Sequence, residues 1–251
     1  MKNTWSAIIT FIFLAAFAGS LAVGIIADRQ NTAETPELEV GDWWAYQETY
    51  SWEGGEQIIS ERMEVTVDSG DAWRLAVSMD LTGIPNDPRF TVEEITMEMA
   101  KATLLVEWKK QHGMAPWLED PEVMRPYSQR NTYSYEWPDG PLWPLSIGKK
   151  VRVIESAYEA TEYTDTGETT NRHSSTMVYT YEVEGVESVT VPAGTFRCFK
   201  VLRYIEGLDT SIRTEWYSPD VKNWIKTTES FSTEEYEASS TIELESYSLA
   251  A

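Results

Sequence analysis

Over most of this chain, apolar and polar residues alternate with a period of two, the pattern of a strand with one buried face. Met63, Val65 and Val67 alternate with Glu64, Thr66 and Asp68. After the turn residues Asp68-Ser69-Gly70-Asp71, Trp73, Leu75, Val77 and Met79 alternate with Arg74, Ala76, Ser78 and Asp80. That is a hairpin with one apolar and one polar face. Met177, Tyr179, Tyr181 and Val183 repeat the pattern until Gly185 interrupts it. Ile212, Thr214 and Trp216 form another set, and Ile242 and Leu244, set against Glu243 and Glu245, form a closing strand. The run Phe196 to Ile205 is apolar on both faces and reads as a central strand.

These strands predict an all-β domain over residues 40–251: a highly curved antiparallel sheet or open β-barrel of about ten strands, preceded by one N-terminal transmembrane or signal helix. The length of 251 residues suits one domain with an appendage. A chain of this size buries roughly 70–75% of its unfolded surface and needs no disulfide or metal staple. The single cysteine excludes an internal disulfide. A net charge of -21 argues against nucleic acid as a partner, because phosphate binding needs clustered Lys and Arg.

Three stretches are less regular. Val92 to Lys110 places Ile95, Met99, Ala102, Leu105 and Val106 at helical spacing, yet its apolar phase also shifts past Ala100. Two strands joined by a turn at Ala100-Lys101-Ala102 explain that shift better than a helix. Residues 111–146 carry six prolines and six Trp or Tyr residues, which predicts an irregular excursion packed over the sheet. Thr227 to Thr241 is rich in Ser, Thr and Glu and reads as a solvated strand edge or loop.

The N-terminus is of another kind. Trp5 to Ile26 is a charge-free stretch of 22 residues preceded by Lys2. As a helix it would be about 33 Å long, enough for a hydrocarbon core of about 30 Å. Residues 1–29 therefore read as a membrane anchor or a signal segment. Ala16-Phe17-Ala18 offers a cleavage site, while the apolar residues beyond it favour an uncleaved anchor. Residues 30–39 are polar and contain Pro36, which suggests a tether. The expected location is the cell membrane, single-pass, with the β-domain outside the cytoplasm; the alternative is secretion after cleavage. Without residues 1–27 the chain carries 19 positive against 41 negative residues, an acidic surface that keeps a protein soluble.

Val191-Pro192-Ala193-Gly194-Thr195-Phe196, with Cys198, Lys200 and Val201, is followed by Trp216-Tyr217-Ser218-Pro219 and Val221. This run resembles a V-P-A-G-T-F / W-Y-S-P-x-V signature of exported prokaryotic β-proteins of no assigned activity. Val40 to Tyr46 and Pro144 to Lys150 also resemble their counterparts there. That group is similar in layout to the LolA-like lipoprotein-carrier curved-sheet superfamily. Where the group has Gly after the Ser-Pro-x-Val step, this chain has Lys222. The resemblance implies a curved sheet and an exported location, and supplies no catalytic residue.

Nothing in the chain reads as catalytic, so the expectation is a protein that is not an enzyme. His112 and His173 lack metal-ligand spacing to each other or to Cys198, and no nucleophile elbow, zinc motif or phosphate loop occurs. No cofactor and no metal are expected. Asp165-Thr166-Gly167-Glu168 reads as a hairpin turn rather than a calcium loop. Trp117, Tyr127, Trp137 and Trp143, all in the proline-rich stretch, are the candidate ligand-binding residues. They would complete the core, cap an apolar groove, or present a partner surface. The leading expectation is a membrane-tethered, non-catalytic domain that holds an apolar or lipid-like ligand in a concave sheet. The alternatives are a cell-surface structural or protein-interaction domain with a filled core, and an exported hydrolase.

Overall fold

The structure is a computed structural model and describes residues 31–53, 55–80, 91–103, 105–116, 123–207, 213–232 and 237–250. The apolar segment 5–26 and Trp117 lie outside the described residues.

Fourteen strands are present: β1 (Thr32–Ala33), β2 (Trp43–Trp52), β3 (Gly55–Asp68), β4 (Ala72–Asp80), β5 (Thr91–Ala100), β6 (Val106–Pro116), β7 (Met124–Glu136), β8 (Leu145–Ser146), β9 (Lys150–Tyr163), β10 (Glu168–Val191), β11 (Gly194–Ile205), β12 (Arg213–Ser218), β13 (Asn223–Ser232) and β14 (Glu237–Ser248). Twelve of them form a closed antiparallel barrel, while β1 and β8 pair as a separate two-stranded ribbon. Each barrel strand pairs with the next in the chain, and β14 returns to β2 with Leu244 opposite Tyr46. The sheet is thus closed rather than open, with twelve barrel strands instead of about ten. Closure leaves no free sheet edge.

Much of the described proline-rich stretch is strand rather than irregular excursion. Residues 111–116 complete β6, and β7 fills Met124 to Glu136. Pro116 ends β6 opposite Met124, and Pro126 enters β7 opposite Met114. Pro138, Pro141 and Pro144 fall in the β7–β9 connection. Of these prolines, Pro126 alone lies inside a strand, at the third residue of β7, and the others named here end β6 or fall in a connection. The phase shift near Ala100 is a turn between β5 and β6, as the two-strand reading expects. Gly185 does not end its strand: β10 runs through it, with a register shift between Val183 and Gly185. The Ser/Thr/Glu tract is largely the outer parts of β13 and β14. Nor is 30–39 a free tether, since β1 pairs with β8 and Ala33, Pro36 and Leu38 are buried.

The ladder is strongly staggered. Partner by partner, Trp44 leads to Met63, Val77, Ile95, Gln111, Gln129 and Thr161. Such stagger goes with strands inclined to the barrel axis. The barrel has two unlike ends. The closed end carries the β3–β4, β5–β6, β7–β9, β10–β11 and β12–β13 connections and both flanks of the β14–β2 seam. The far end carries the β9–β10 turn and the opposite ends of the other barrel strands.

The closed end is packed solid. Trp44, Phe199, Tyr217, Leu145, Ile225 and Val201 are essentially inaccessible to solvent. Trp44 Nε1 donates to the Val221 carbonyl at 2.9 Å, and Tyr46 Oη to the Trp224 carbonyl at 2.9 Å. The V-P-A-G-T-F segment is the two-residue hairpin loop joining β10 to β11, with Val191 opposite Gly194. Gly194 has φ +141°, and a Cβ there would meet the Phe196 ring at 3.4 Å. Lys222, in the position where the resembling proteins have Gly, adopts φ +58°. The left-handed turn is therefore kept without glycine, and Lys222 Nζ lies 3.9 Å from the buried Asp42 carboxylate.

On β7 and β10 outward positions are polar: Arg130, Thr132 and Ser134, and Ser174 and Thr176, point away from the inward Tyr133, Tyr135 and Tyr179, whereas Ile58 on β3 and Tyr158 on β9 are exposed apolar positions. No described helix is long and apolar enough to cross a membrane.

Candidate functional site

The strand period that buries Tyr179 and Tyr181 near the closed end carries polar residues into the lumen further along the same strands. On β7 the inward series is Tyr127, Gln129, Asn131, Tyr133 and Tyr135; on β3 it is Gln57, Ile59, Glu61, Met63 and Val65. Toward the closed end these series become apolar or aromatic. Toward the far end they become amides, hydroxyls and carboxylates.

At mid-height lies a charged layer. Arg213 Nε is 2.8 Å from Glu215 Oε1, and Arg213 Nη1 is 3.6 Å from Glu229 Oε2. Arg203 Nη2 donates to Glu229 Oε1 at 3.4 Å, and its guanidinium sits 4.8 Å from the centre of the Tyr179 ring. Burial pushes the Tyr181 hydroxyl up to about 12. Opposite this layer, burial raises the Glu61 carboxyl above its ordinary value; nearby Lys109 opposes the shift and Glu48 adds to it. Burial likewise raises Glu155, with Arg203 opposing. A half-enclosed cavity of about 210 Å³ lies at this height, lined by Tyr46, Glu48, Glu61, Arg213 and Thr227 among others.

Beyond the charged layer, a ladder of side-chain hydrogen bonds runs across β6 and β7. Gln111 Nε2 donates to Tyr127 Oη at 3.2 Å and to Gln129 Oε1 at 2.9 Å. Gln129 Nε2 donates to Asn131 Oδ1 at 3.4 Å, and Asn131 Nδ2 to Tyr133 Oη at 3.5 Å. On the opposite wall, Ser240 Oγ donates to Glu48 Oε1 at 2.6 Å. Gln57 Nε2 is buried without a hydrogen-bond partner among the described residues.

The four aromatic candidates do not converge. Trp143 is buried at the closed end, where its Nε1 donates to the Thr103 carbonyl at 3.1 Å and its ring packs edge-on to Tyr217 at 4.8 Å. Trp137 is half-buried against the same core. Tyr127 is buried ten residues further along β7, which at about 3.3 Å per residue puts it roughly 33 Å of strand away from Trp137. It belongs to the polar ladder. Sequence reasoning missed Gln57, Glu61, Gln111, Gln129 and Asn131. The available signal was Tyr127, Tyr133 and Tyr135 at even spacing, with amides between them on the same face.

Other singled-out residues take structural places. Cys198 is fully buried, and burial with the nearby Asp220 and Glu187 pushes its thiol up to about 12. Asp165 sits in the β9–β10 turn, 3.2 Å from Arg125 Nε. No cluster of potential metal ligands occurs among the described residues.

A family model described as DUF3108-like matches residues 143–242, from just before β8 into β14. No curated protein sequence matches the chain. Among solved structures, a protein described as exported, with a YmcC-like fold, from Bacteroides fragilis NCTC 9343 shares 13% identity with this chain. The likeness covers 86% of this chain and 99% of that one, with a TM-score of 0.43. A protein described as a lipoprotein, from Parabacteroides distasonis ATCC 8503, shares 13% identity over 86% of this chain and 97% of its own, with a TM-score of 0.33.

Proposed function

We propose that the chain is an extracytoplasmic, non-catalytic binding domain, held at a membrane through residues 5–26, whose barrel lumen takes up a small polar molecule. The observation that carries this reading is the polar inner wall of the far half. Those side chains line the lumen rather than the outer surface, where β7 and β10 already carry polar residues such as Arg130, Thr132, Ser174 and Thr176. The lumen side chains do not stabilise the barrel cheaply, since a buried carboxyl such as Glu61 and an orphaned amide such as Gln57 each cost free energy. Such costs are kept where a ligand answers them. The apolar-ligand expectation has less room: the apolar half of the interior is filled by Trp44, Trp143, Tyr217 and Phe199. That filled half favours the second reading, a surface domain that makes only protein contacts. Cys198, buried and with its thiol pushed up to about 12, is no candidate nucleophile.

Native mass spectrometry of the full chain, extracted in mild detergent, tests the proposal. The expected result is a bound polar mass that leaves on denaturation and is reduced in Glu61→Leu. A bound lipid mass would restore the apolar-ligand reading. A chain that is ligand-free in every preparation would favour the protein-contact reading.

A further inference from the structure

The geometry points to a neutral, polyhydroxylated ligand, a saccharide, in the far half of the lumen; this rests on the reading of the lumen as a binding chamber. Several charges near the chamber already have partners within the protein, and at Glu61, which has no ion pair among the described residues, burial favours the neutral, protonated form. Arg213 is paired with Glu215 and Glu229, Arg203 with Glu229, and Glu48 accepts from Ser240. A charged ligand would have to compete with these partly buried pairs. An apolar ligand would strip water from the amides without replacing its hydrogen bonds.

The groups left to meet a ligand are those that both donate and accept. Each amide of the Gln111–Gln129–Asn131 ladder has two donor hydrogens and two acceptor lone pairs, and the ladder uses only part of that capacity. Gln111, for example, gives both its hydrogens to Tyr127 and Gln129, and its carbonyl oxygen remains to accept. Sugar hydroxyls also donate and accept, so they match such a wall at several points without any charge.

The inner wall of the β2–β3 rim carries a second feature that suits a saccharide. The Tyr50 and Trp52 rings lie 5.5 Å apart at 31°. The Trp52 ring lies so close over Gly55 that a Cβ there would meet it at 2.6 Å, so the absence of a side chain at Gly55 leaves room for the ring. Directly across the strand pair from Tyr50 is Gln57, whose buried Nε2 lacks an acceptor. An aromatic face beside an unanswered amide donor suits a pyranose ring, which has an apolar C–H face and a hydroxyl edge. A ligand hydroxyl would supply the acceptor that Gln57 lacks.

The test is titration calorimetry, with tryptophan fluorescence, of the full chain in mild detergent against cellohexaose, maltohexaose and chitohexaose. At least one should bind and change the Trp signal. Gln57→Met should weaken that binding by about 3- to 10-fold, the value of one neutral hydrogen bond. It should leave the melting temperature unchanged or raised, because it removes an orphaned donor. Trp52→Leu should weaken binding as well. The assignment is overturned if no hexaose binds at about 10 mM, where even a site of about 1 mM would be mostly filled. It is also overturned if both variants bind as the native chain does. A bound non-carbohydrate polar mass would sink the saccharide and leave the chamber standing, whereas no bound mass and no saccharide binding would sink both.

Discussion

Asp42 holds the seam where the last strand closes on the first, and removing its carboxylate should loosen the whole barrel. The side chain is fully buried. Its Oδ1 accepts from the Ala250 backbone N–H at 2.6 Å, across 208 residues of sequence, and its Oδ2 accepts from the Glu39 N–H at 2.9 Å. Ala250 follows β14 and Asp42 precedes β2, so one carboxylate ties both flanks of the closure. A hydrogen bond to a charged acceptor contributes about 1.5–3 kcal/mol. Asp42→Ala deletes two such bonds, and water reaching the half-exposed Ala250 and Glu39 returns part, which leaves a loss of about 3–4 kcal/mol. Asp42→Asn keeps one acceptor and turns an NH2 toward the other N–H, so it should cost about 1.5–3 kcal/mol. Urea unfolding of the full chain followed by Trp fluorescence reads both values from the midpoint at constant slope. A change under about 0.5 kcal/mol for Asp42→Ala would refute the reasoning, because desolvation of the carboxylate would then cancel its bonds.

Three further outcomes follow from the same packing. Phe199→Ala, at a fully buried position beside the V-P-A-G-T-F turn, should cost about 3–5 kcal/mol in the same unfolding assay, and a loss below about 1 kcal/mol would show that the closed end is not tightly packed. Lys222→Gly relieves a left-handed residue but gives up the contact to Asp42, so a gain of up to about 1 kcal/mol is expected, and a clear loss would mean that the ion pair outweighs the strain. Glu61, raised by burial, keeps its proton in the folded barrel at pH values where the unfolded chain has lost it, so stability falls as pH rises from the ordinary carboxylate value toward the folded one. Glu61→Gln should therefore be more stable than the native chain above that window and equal to it well below; parallel pH–stability curves would refute the assignment.

The strands were legible wherever burial is one-sided, because alternation is then a direct record of the two faces. Met63 to Met79 and Met177 to Val183 show this, as does the turn near Ala100, which appears as a phase shift. β7 was not legible, because inside this barrel both of its faces are polar: Gln129 and Asn131 face the lumen, and Arg130 and Thr132 face solvent. Alternation of polar with polar leaves no apolar period to read. Pro116 and Pro126 look like breakers in sequence, yet Pro116 sits at the last position of β6 and Pro126 near the start of β7, at its third position. Closure was hidden for another reason. The pairing of β14 with β2 is set by register across nearly the whole chain, and neither strand encodes its partner locally. The site inherits both difficulties. Its residues come from strands far apart in sequence, and Gln57, Gln111 and Gln129 are each unremarkable until stagger brings them into one lumen. The aromatic candidates were conspicuous because they are large, and Trp143 turned out to fill the closed end.

The central claim is that one barrel interior is divided into a dry, packed half and a polar, accessible half. Thiol labelling measures this directly. Cys198 is the chain's one native thiol, buried and pushed up to about 12, and should not react with a charged thiol reagent. Cysteine placed at Ser175, inward on β10 toward the far end, should react quickly, whereas cysteine at the buried Val153, inward on β9 near the closed end, should stay silent until the chain is unfolded. A silent Ser175→Cys, or a Val153→Cys that labels as fast, would contradict the division of the lumen.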